Sequence, residues 1–195
     1  MSDTKKLHET FEFHGVSFPQ NQGNEHIGTC PFCDKSHHFY VNTKTGQYEC
    51  KSCGDRGNHY SFLQKYHAKH LKATDKEHYR DLSRLRSNLP WSLFKSKRLA
   101  YDSDQDTWLL PVTNGDNKIA DLRTWGTFGT DKRQFRTTKN CNAHFGKFSG
   151  EDDKANATIY VCEGEFDAIA LVWLFEKLEL PQSSYTVRWT PGANI

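Results

Sequence analysis

Four cysteines fall in two pairs, Cys30-x2-Cys33 and Cys50-x2-Cys53, with sixteen residues between the pairs. That spacing marks a four-thiolate zinc site, each pair presenting two sulfurs from one tight turn. Pro31 and Gly54 stand where such turns want them. Four thiolates satisfy Zn2+ completely and leave no position open for water, so the expected role is structural: the ion replaces a core that the segment lacks. His26, His37 and His38 are nearby alternatives, but the cysteine set is complete without them. A second group lies in "VCEGEFDAIAL", where Glu163, Glu165 and Asp167 stand two residues apart. Carboxylates at a strand end can hold Mg2+, which takes oxygen ligands. Acids in the first turn of a helix are also stabilised by its dipole, a sufficient reason for Glu165 and Asp167. Glu163, just ahead of the helix, has less of that reason and is the first candidate for chemistry.

The elements that position these residues are legible in outline. A strand over 157–162, a helix over 165–178 and a strand over 185–189 form one βαβ unit with a parallel pair. Glu163 then lies at the C-terminal strand edge, where ligands of open α/β sheets bind, and Gly164 is read as permitting a sharp turn into the helix. Around the cysteines, 38–41 and 47–49 flank "NTKTG" as a hairpin. After Gly57 the pattern turns helical, with Tyr60, Leu63, Gln64 and His67 on one stripe and Phe62 and Tyr66 beside it. Residues 72–100 are polar, basic and broken by Pro90, which reads as a linker with a helix over 75–86. A further small domain starts at Tyr101, where two apolar runs flank Asn114-Gly115-Asp116-Asn117, a hairpin signal.

Composition bounds the function. A chain of 195 residues with 35% apolar and 13% aromatic content can build one ordinary domain or two small ones. No apolar run reaches the roughly 18 residues of a membrane span and the N-terminus lacks the apolar stretch of a signal peptide, so a cytoplasmic protein is expected. Six cysteines then read as ligands or free thiols rather than disulfides. The net charge of +2 hides an asymmetry: residues 60–100 carry ten Lys or Arg against three acids, and residues 151–179 carry eight acids against two lysines. A basic middle before an acidic end suits a protein that grips a phosphate backbone in one place and holds metal in another, and equally suits a solvated helix face. On the ribbon, Phe39, Tyr40 and Tyr48 mingle with Lys44, Lys51 and Arg56, a mixture of stacking surfaces and phosphate partners suited to single strands.

Together these stretches resemble a known family. "CPFC…YECKSCGDRG" looks like the zinc-binding domain of bacterial (DnaG-type) DNA primases and phage primase-helicases, and "EGEFDAIAL" looks like the first motif of their Toprim domain. Between them, "LRTWGTFGTDKRQFRTTKNCNAHFGK" is similar to the basic segment that precedes Toprim in primase-helicases, and the likeness runs from about Gly28 to the last residue. The resemblance implies an α+β chain: a zinc-ribbon domain over 1–71, a basic linker over 72–100, a basic subdomain of the RNA-polymerase domain over 101–150, and an incomplete Toprim α/β half over 151–195. It implies an enzyme that reads single-stranded DNA template and joins ribonucleotides into RNA primers, using one structural Zn2+ and catalytic Mg2+. Its further partner would be a replicative helicase, in cis or in trans. Lys51, Arg56, Arg123, Lys132, Arg133, Arg136 and Lys139 are the implied nucleic-acid or nucleotide contacts. Glu163, with Asp167, is the implied catalytic and magnesium-binding position, and Gly192 matches the glycine turn after the second Toprim strand.

The departures from the family pattern also shape the expectation. The Asp-x-Asp pair that completes the Toprim metal site is missing after the second strand, and Asp102-x-Asp104-x-Asp106 lies in the wrong segment and reads as a solvated loop. No G-x-x-x-x-G-K-[ST] is present, so no helicase motor is expected. The chain reads as the N-terminal piece of a larger primase or a truncated product. A non-catalytic, zinc-dependent reader of single-stranded DNA with a vestigial Toprim half is the alternative, and a Toprim topoisomerase or nuclease fragment is a weaker one.

Overall fold

The structure, a computed structural model, describes residues 9–113, 118–127, 134–136, 146–147 and 157–189. The chain is a mixed α+β protein, with three sheets among the described residues. A short helix α1 (Glu9–Phe13) leads into an antiparallel sheet of β1 (Gln20–Gln22), β2 (Glu25–Gly28), β3 (Phe39–Asn42), β4 (Gln47–Cys50) and β5 (Arg56–Asn58) in chain order. The expected hairpin is β3–β4, with Tyr40 opposite Glu49. Alternation along these strands turns Phe39, Val41 and Tyr48 inward and leaves Tyr40, Asn42, Gln47 and Glu49 on the open face.

Helix α2 (His59–Ala73) covers the inner face. It starts where Asn58 and Ser61 form a reciprocal capping box. The buried stripe is Phe62, Leu63, Tyr66, His67 and His70, so the expected stripe is displaced: Tyr60 is 45% exposed and Gln64 faces solvent. A stripe through positions 62, 66 and 70 faces two sheets at once. Phe11, Phe39, Tyr48, Phe62 and Tyr66 share one cluster with Ala100, Leu109, Ile119 and Leu122 of the next sheet.

That sheet is antiparallel, in the order β6 (Ala100–Asp102), β7 (Thr107–Thr113), β8 (Ile119–Gly126) and β9 (Gln134–Arg136). The strands β7 and β8 pair as the sequence predicts, while Asn114 to Asn117 lie outside the described residues. Both faces of β7 and β8 are covered: Leu109 and Leu122 point to α2, and Trp108, Leu110 and Trp125 point the other way. The second face is packed by α3 (Lys76–Leu85) and α4 (Trp91–Ser96) through Tyr79, Leu82, Leu93 and Phe94. Residues 72–100 were expected to link, with one helix; the chain here carries two helices, because their few apolar residues recur on one face. Pro90 caps α4 rather than ending structure. Arg80 and Arg84 pair with Glu77 and Asp81 on the same exposed helix surface.

The last unit is β11 (Thr158–Cys162), α5 (Glu165–Lys177) and β12 (Tyr185–Trp189), with β11 and β12 parallel. β10 (Gly146–Lys147) pairs antiparallel with β12. Helix α5 is apolar almost all round, which fits a helix buried on two sides. Phe166 and Ile169 pack on the middle sheet, and Ala168, Val172 and Phe175 pack on Tyr185 and Val187. Among the described residues, no helix is long and apolar enough to cross a membrane.

Candidate metal centre and nucleic-acid interface

The four sulfurs of Cys30, Cys33, Cys50 and Cys53 lie within 4.8 Å of one another. Cys30 Sγ is 4.0 Å from Cys53 Sγ, and Cys33 Sγ is 3.7 Å from Cys50 Sγ. A tetrahedron with Zn–S bonds of about 2.3 Å has edges of about 3.8 Å, close to these two spacings, so the sulfurs are grouped to share this ion. The two knuckles repeat one backbone pattern. The N–H of Cys30 donates to the carbonyl of Lys35 at 3.1 Å and that of Cys50 to Asp55 at 2.7 Å, while Asp34 and Gly54 donate back to Cys30 and Cys50 at 2.9 Å each. Asp34 and Gly54 occupy the same left-handed turn position, at φ 58° and 74°. Backbone N–H groups of Phe32 and Cys53 point at Cys30 Sγ and Cys50 Sγ. Burial pushes the Cys50 thiol up, but the N–H groups of Cys53 and Ser52 and the neighbouring sulfurs outweigh it and bring the pKa to about 7. Burial drives the Cys30 thiol upward. Among the described residues these cysteines are the only group of three or more His, Cys, Asp or Glu close enough to share an ion.

Outside the zinc centre, the open face of the ribbon sheet forms a groove of about 940 Å³. Glu49 lies opposite both Tyr40 and Arg56 across the strands, and Glu25 lies opposite Asn42. The Lys51 ammonium pairs with Glu49 and sits 5.9 Å from the Tyr40 ring centre. Lys51 and Arg56 are exposed, as a phosphate contact requires. Of the three aromatic residues expected to stack, Tyr40 is half-buried and lines the groove, Tyr48 also borders it but is buried against Phe11 and Phe62, and Phe39 is wholly buried.

The acidic stretch is resolved into unlike roles. Glu163 follows β11 and is exposed, as is Asp167 in the first turn of α5. Glu165 is fully buried and pairs with the Arg123 guanidinium of β8, itself 7% exposed. Burial raises the Glu165 pKa, opposed by Arg123, by its own backbone N–H and by a side-chain hydrogen bond from Trp189. The helix dipole alone therefore does not account for Glu165. Arg123, expected at template or nucleotide phosphates, is instead committed to this carboxylate, because β8 is covered on both faces. Beside the pair, the Arg86 guanidinium lies 4.1 Å from the Trp125 ring centre and 3.8 Å from that of Phe166, tying the end of α3 to β8 and α5. Sequence spacing carried no sign of this cluster; the near-continuous apolar run of β7 and β8 was the available hint that Arg123 would be enclosed. Gly164 has φ −144°, extended backbone open to any residue, so the turn into α5 does not require glycine.

Asp102 also departs from expectation. It is buried, accepts from Tyr66 Oη at 2.5 Å and from Gln105 Nε2 at 3.0 Å, and takes the N–H of Asp104 at 3.0 Å. It closes the 102–106 loop against α2 instead of lying in solvent. Arg136 is placed on β9, its backbone opposite Thr124. Lys132, Arg133, Lys139 and Gly192 lie outside the described residues.

With this geometry in place, residues 15–83 match the family model of the CHC2 zinc finger, the zinc ribbon of DnaG. This matched part of the chain is similar to the DnaG zinc ribbon, and the four cysteines lie inside it. The family's name denotes a histidine among the ligands; here all four are cysteines. No curated protein matches the chain. Among solved structures, the chain is similar to the zinc-binding and RNA polymerase domains of the Aquifex aeolicus primase, at 13% identity over 96% of this chain and 66% of that one, TM-score 0.37. It is similar to the DnaG catalytic core at 9% identity over 68% and 54%, TM-score 0.47. The primase fragment of the bacteriophage T7 primase-helicase protein follows at 14% identity over 84% and 66%, TM-score 0.41. The chain thus spans 54% to 66% of the lengths of these three.

Proposed function

We propose that this chain is the template-binding and catalytic-entry portion of a DNA primase acting in the cytoplasm, or in the host cytoplasm if phage-encoded. The observation that carries the reading is the four-cysteine centre within a segment matching the DnaG zinc ribbon. In this reading the zinc ribbon takes single-stranded DNA, with Lys51 and Arg56 on its phosphates. The β11–α5 turn, as the first part of a Toprim half, offers Glu163 and Asp167 to Mg2+ during ribonucleotide joining. Bound Mg2+ supplies charge neutralisation for the transferring phosphate. In this reading Glu163 would hold that ion or accept the proton of the attacking hydroxyl, and its exposure after β11 supports the assignment. Arg136, Lys132, Arg133 and Lys139 are the further residues proposed for template and nucleotide phosphates, through charge-assisted contacts. A replicative helicase, in cis or in trans, completes the set of partners.

One observation favours a second reading, a non-catalytic reader of single-stranded DNA: among the described residues, no third carboxylate joins Glu163 and Asp167. Primer synthesis on single-stranded template with labelled ribonucleotides and Mg2+ separates the two, comparing wild type with Glu163→Gln while DNA binding is followed in parallel. The primase reading expects synthesis to vanish in Glu163→Gln with binding retained. Synthesis unaffected by Glu163→Gln contradicts the catalytic assignment, and binding with no synthesis by the wild type favours the reader.

A further inference from the structure

We propose that the groove on the open face of the ribbon selects bases that carry an exocyclic amine and discriminates against thymine, with Glu49 as the specificity-determining residue and Glu25 beside it. This rests on the reading that the ribbon takes single-stranded DNA.

Tyr40 is half-buried and lines the groove, and an aromatic ring there suits base stacking. Two carboxylates flank that ring. Glu25 uses Oε1 to accept from Asn42 Nδ2 at 2.7 Å, and Glu49 uses Oε2 to accept from Lys51 Nζ. Among the described residues, no donor is assigned to the second oxygen of either carboxylate. An ionised carboxylate accepts and never donates. The groove therefore presents unused acceptors beside a stacking surface. Phosphates are repelled by the two acids, so the backbone runs along Lys51 and Arg56 while the bases turn toward Tyr40. The Lys51–Glu49 pair is no obstacle, since its partners are 53% and 46% exposed and such surface pairs are worth little.

In a single strand the pairing edges of the bases are free to be read. Cytosine and adenine bring an exocyclic amine, N4 and N6, to a carboxylate, and guanine brings N2 beside its N1–H on the same pairing edge. Thymine places the O4 carbonyl oxygen where cytosine and adenine carry the amine, and a carbonyl oxygen faces the acid unfavourably. A good contact of this kind discriminates by about 1–3 kcal/mol, roughly 5- to 150-fold in affinity.

Fluorescence anisotropy on the zinc-loaded chain tests this with oligo-dT 12-mers, unmodified or with the three central residues replaced by dC or dA. The expected result is binding at least about 5-fold tighter for the dC and dA probes. Glu49→Ala should lower affinity for those probes while leaving that for oligo-dT unchanged or raised, because a repulsive acid has gone. Glu25→Ala should act in the same sense. Tyr40→Leu should weaken all probes together. Zinc content measured on each variant confirms that the ribbon is intact, as substitutions on its open face leave the core untouched. Equal binding of all probes, or a preference that survives both acid substitutions, overturns the inference while leaving the single-strand reading standing. Failure of the wild type to bind any probe overturns both.

Discussion

Replacing Glu165 with glutamine keeps the shape of the side chain but leaves the Arg123 guanidinium enclosed without its counter-charge. Both partners are nearly inaccessible, Glu165 at 0% and Arg123 at 7% exposure, so solvent screens the loss poorly. Arginine cannot shed its proton, and breaking a buried pair from this side costs about 3–5 kcal/mol. With a urea slope of about 3 kcal/mol/M, the unfolding midpoint should fall by roughly 1–1.7 M. Intrinsic fluorescence reports it well, since Trp108, Trp125 and Trp189 sit in the adjoining cores. The converse change, Arg123→Met, leaves a carboxylate that neutralises itself by taking a proton. Burial already raises the Glu165 pKa, and without Arg123 it rises further. A folded-state pKa above the unfolded value means stability present at low pH and lost as pH rises, so the cost of Arg123→Met should shrink between pH 8 and pH 5, whereas that of Glu165→Gln should not. The double change Arg123→Met/Glu165→Leu, apolar on both sides, should recover most of the loss. A midpoint for Glu165→Gln within about 0.3 M of wild type, or a double variant no better than the single ones, refutes a buried, mutually dependent pair.

Three further outcomes follow from the same structure. Chelation of zinc should loosen the ribbon and also perturb the middle sheet, because Leu109, Ile119 and Leu122 share a core with Phe39 and Phe62; near-ultraviolet circular dichroism and amide exchange of β7 and β8 would register it. Acid should destabilise the chain from about pH 6.5 downward, since burial holds His14 near pKa 3 and His67 near 4, so both take up protons only on unfolding. The two together should cost on the order of 3 kcal/mol at pH 5.5, and His14→Leu, which removes one of them from a pocket shared with Tyr66, His70 and Asp102, should flatten the pH dependence of the urea midpoint. Gly28→Ala should cost about 1–3 kcal/mol in urea unfolding, because a Cβ there would lie 2.2 Å from the Ser17 carbonyl oxygen, a backbone atom that cannot step aside.

How much of this was legible depended on whether the signal was local. The cysteine pairs, the β3–β4 hairpin and the β11–α5–β12 unit are written in neighbouring residues, and the sequence predicts each within a residue or two. The largest misses in the site are long-range. Tyr66 and Asp102 meet across 36 residues, Arg123 and Glu165 across more, and no periodicity announces such a pairing. Arg123 looks like a phosphate ligand until β8 is seen covered on both sides. Phe39 and Tyr48 look like stacking platforms until α1 and α2 close over them, while Tyr40, of the same chemical type, stays at the groove. Polarity and Pro90 suggested a linker over 72–100, but a handful of apolar residues on one face was enough to seat α3 and α4.

The central claim is that zinc holds together a surface that takes single-stranded DNA. The most direct measurement is the affinity of the chain for a single-stranded oligonucleotide, by anisotropy, with zinc bound and after chelation, across 50 to 200 mM salt. The account predicts binding that weakens with salt, at about 0.7 in the log–log slope for each phosphate neutralised, and that disappears with the metal. Binding that is indifferent to zinc, or absent when zinc is bound, would contradict it.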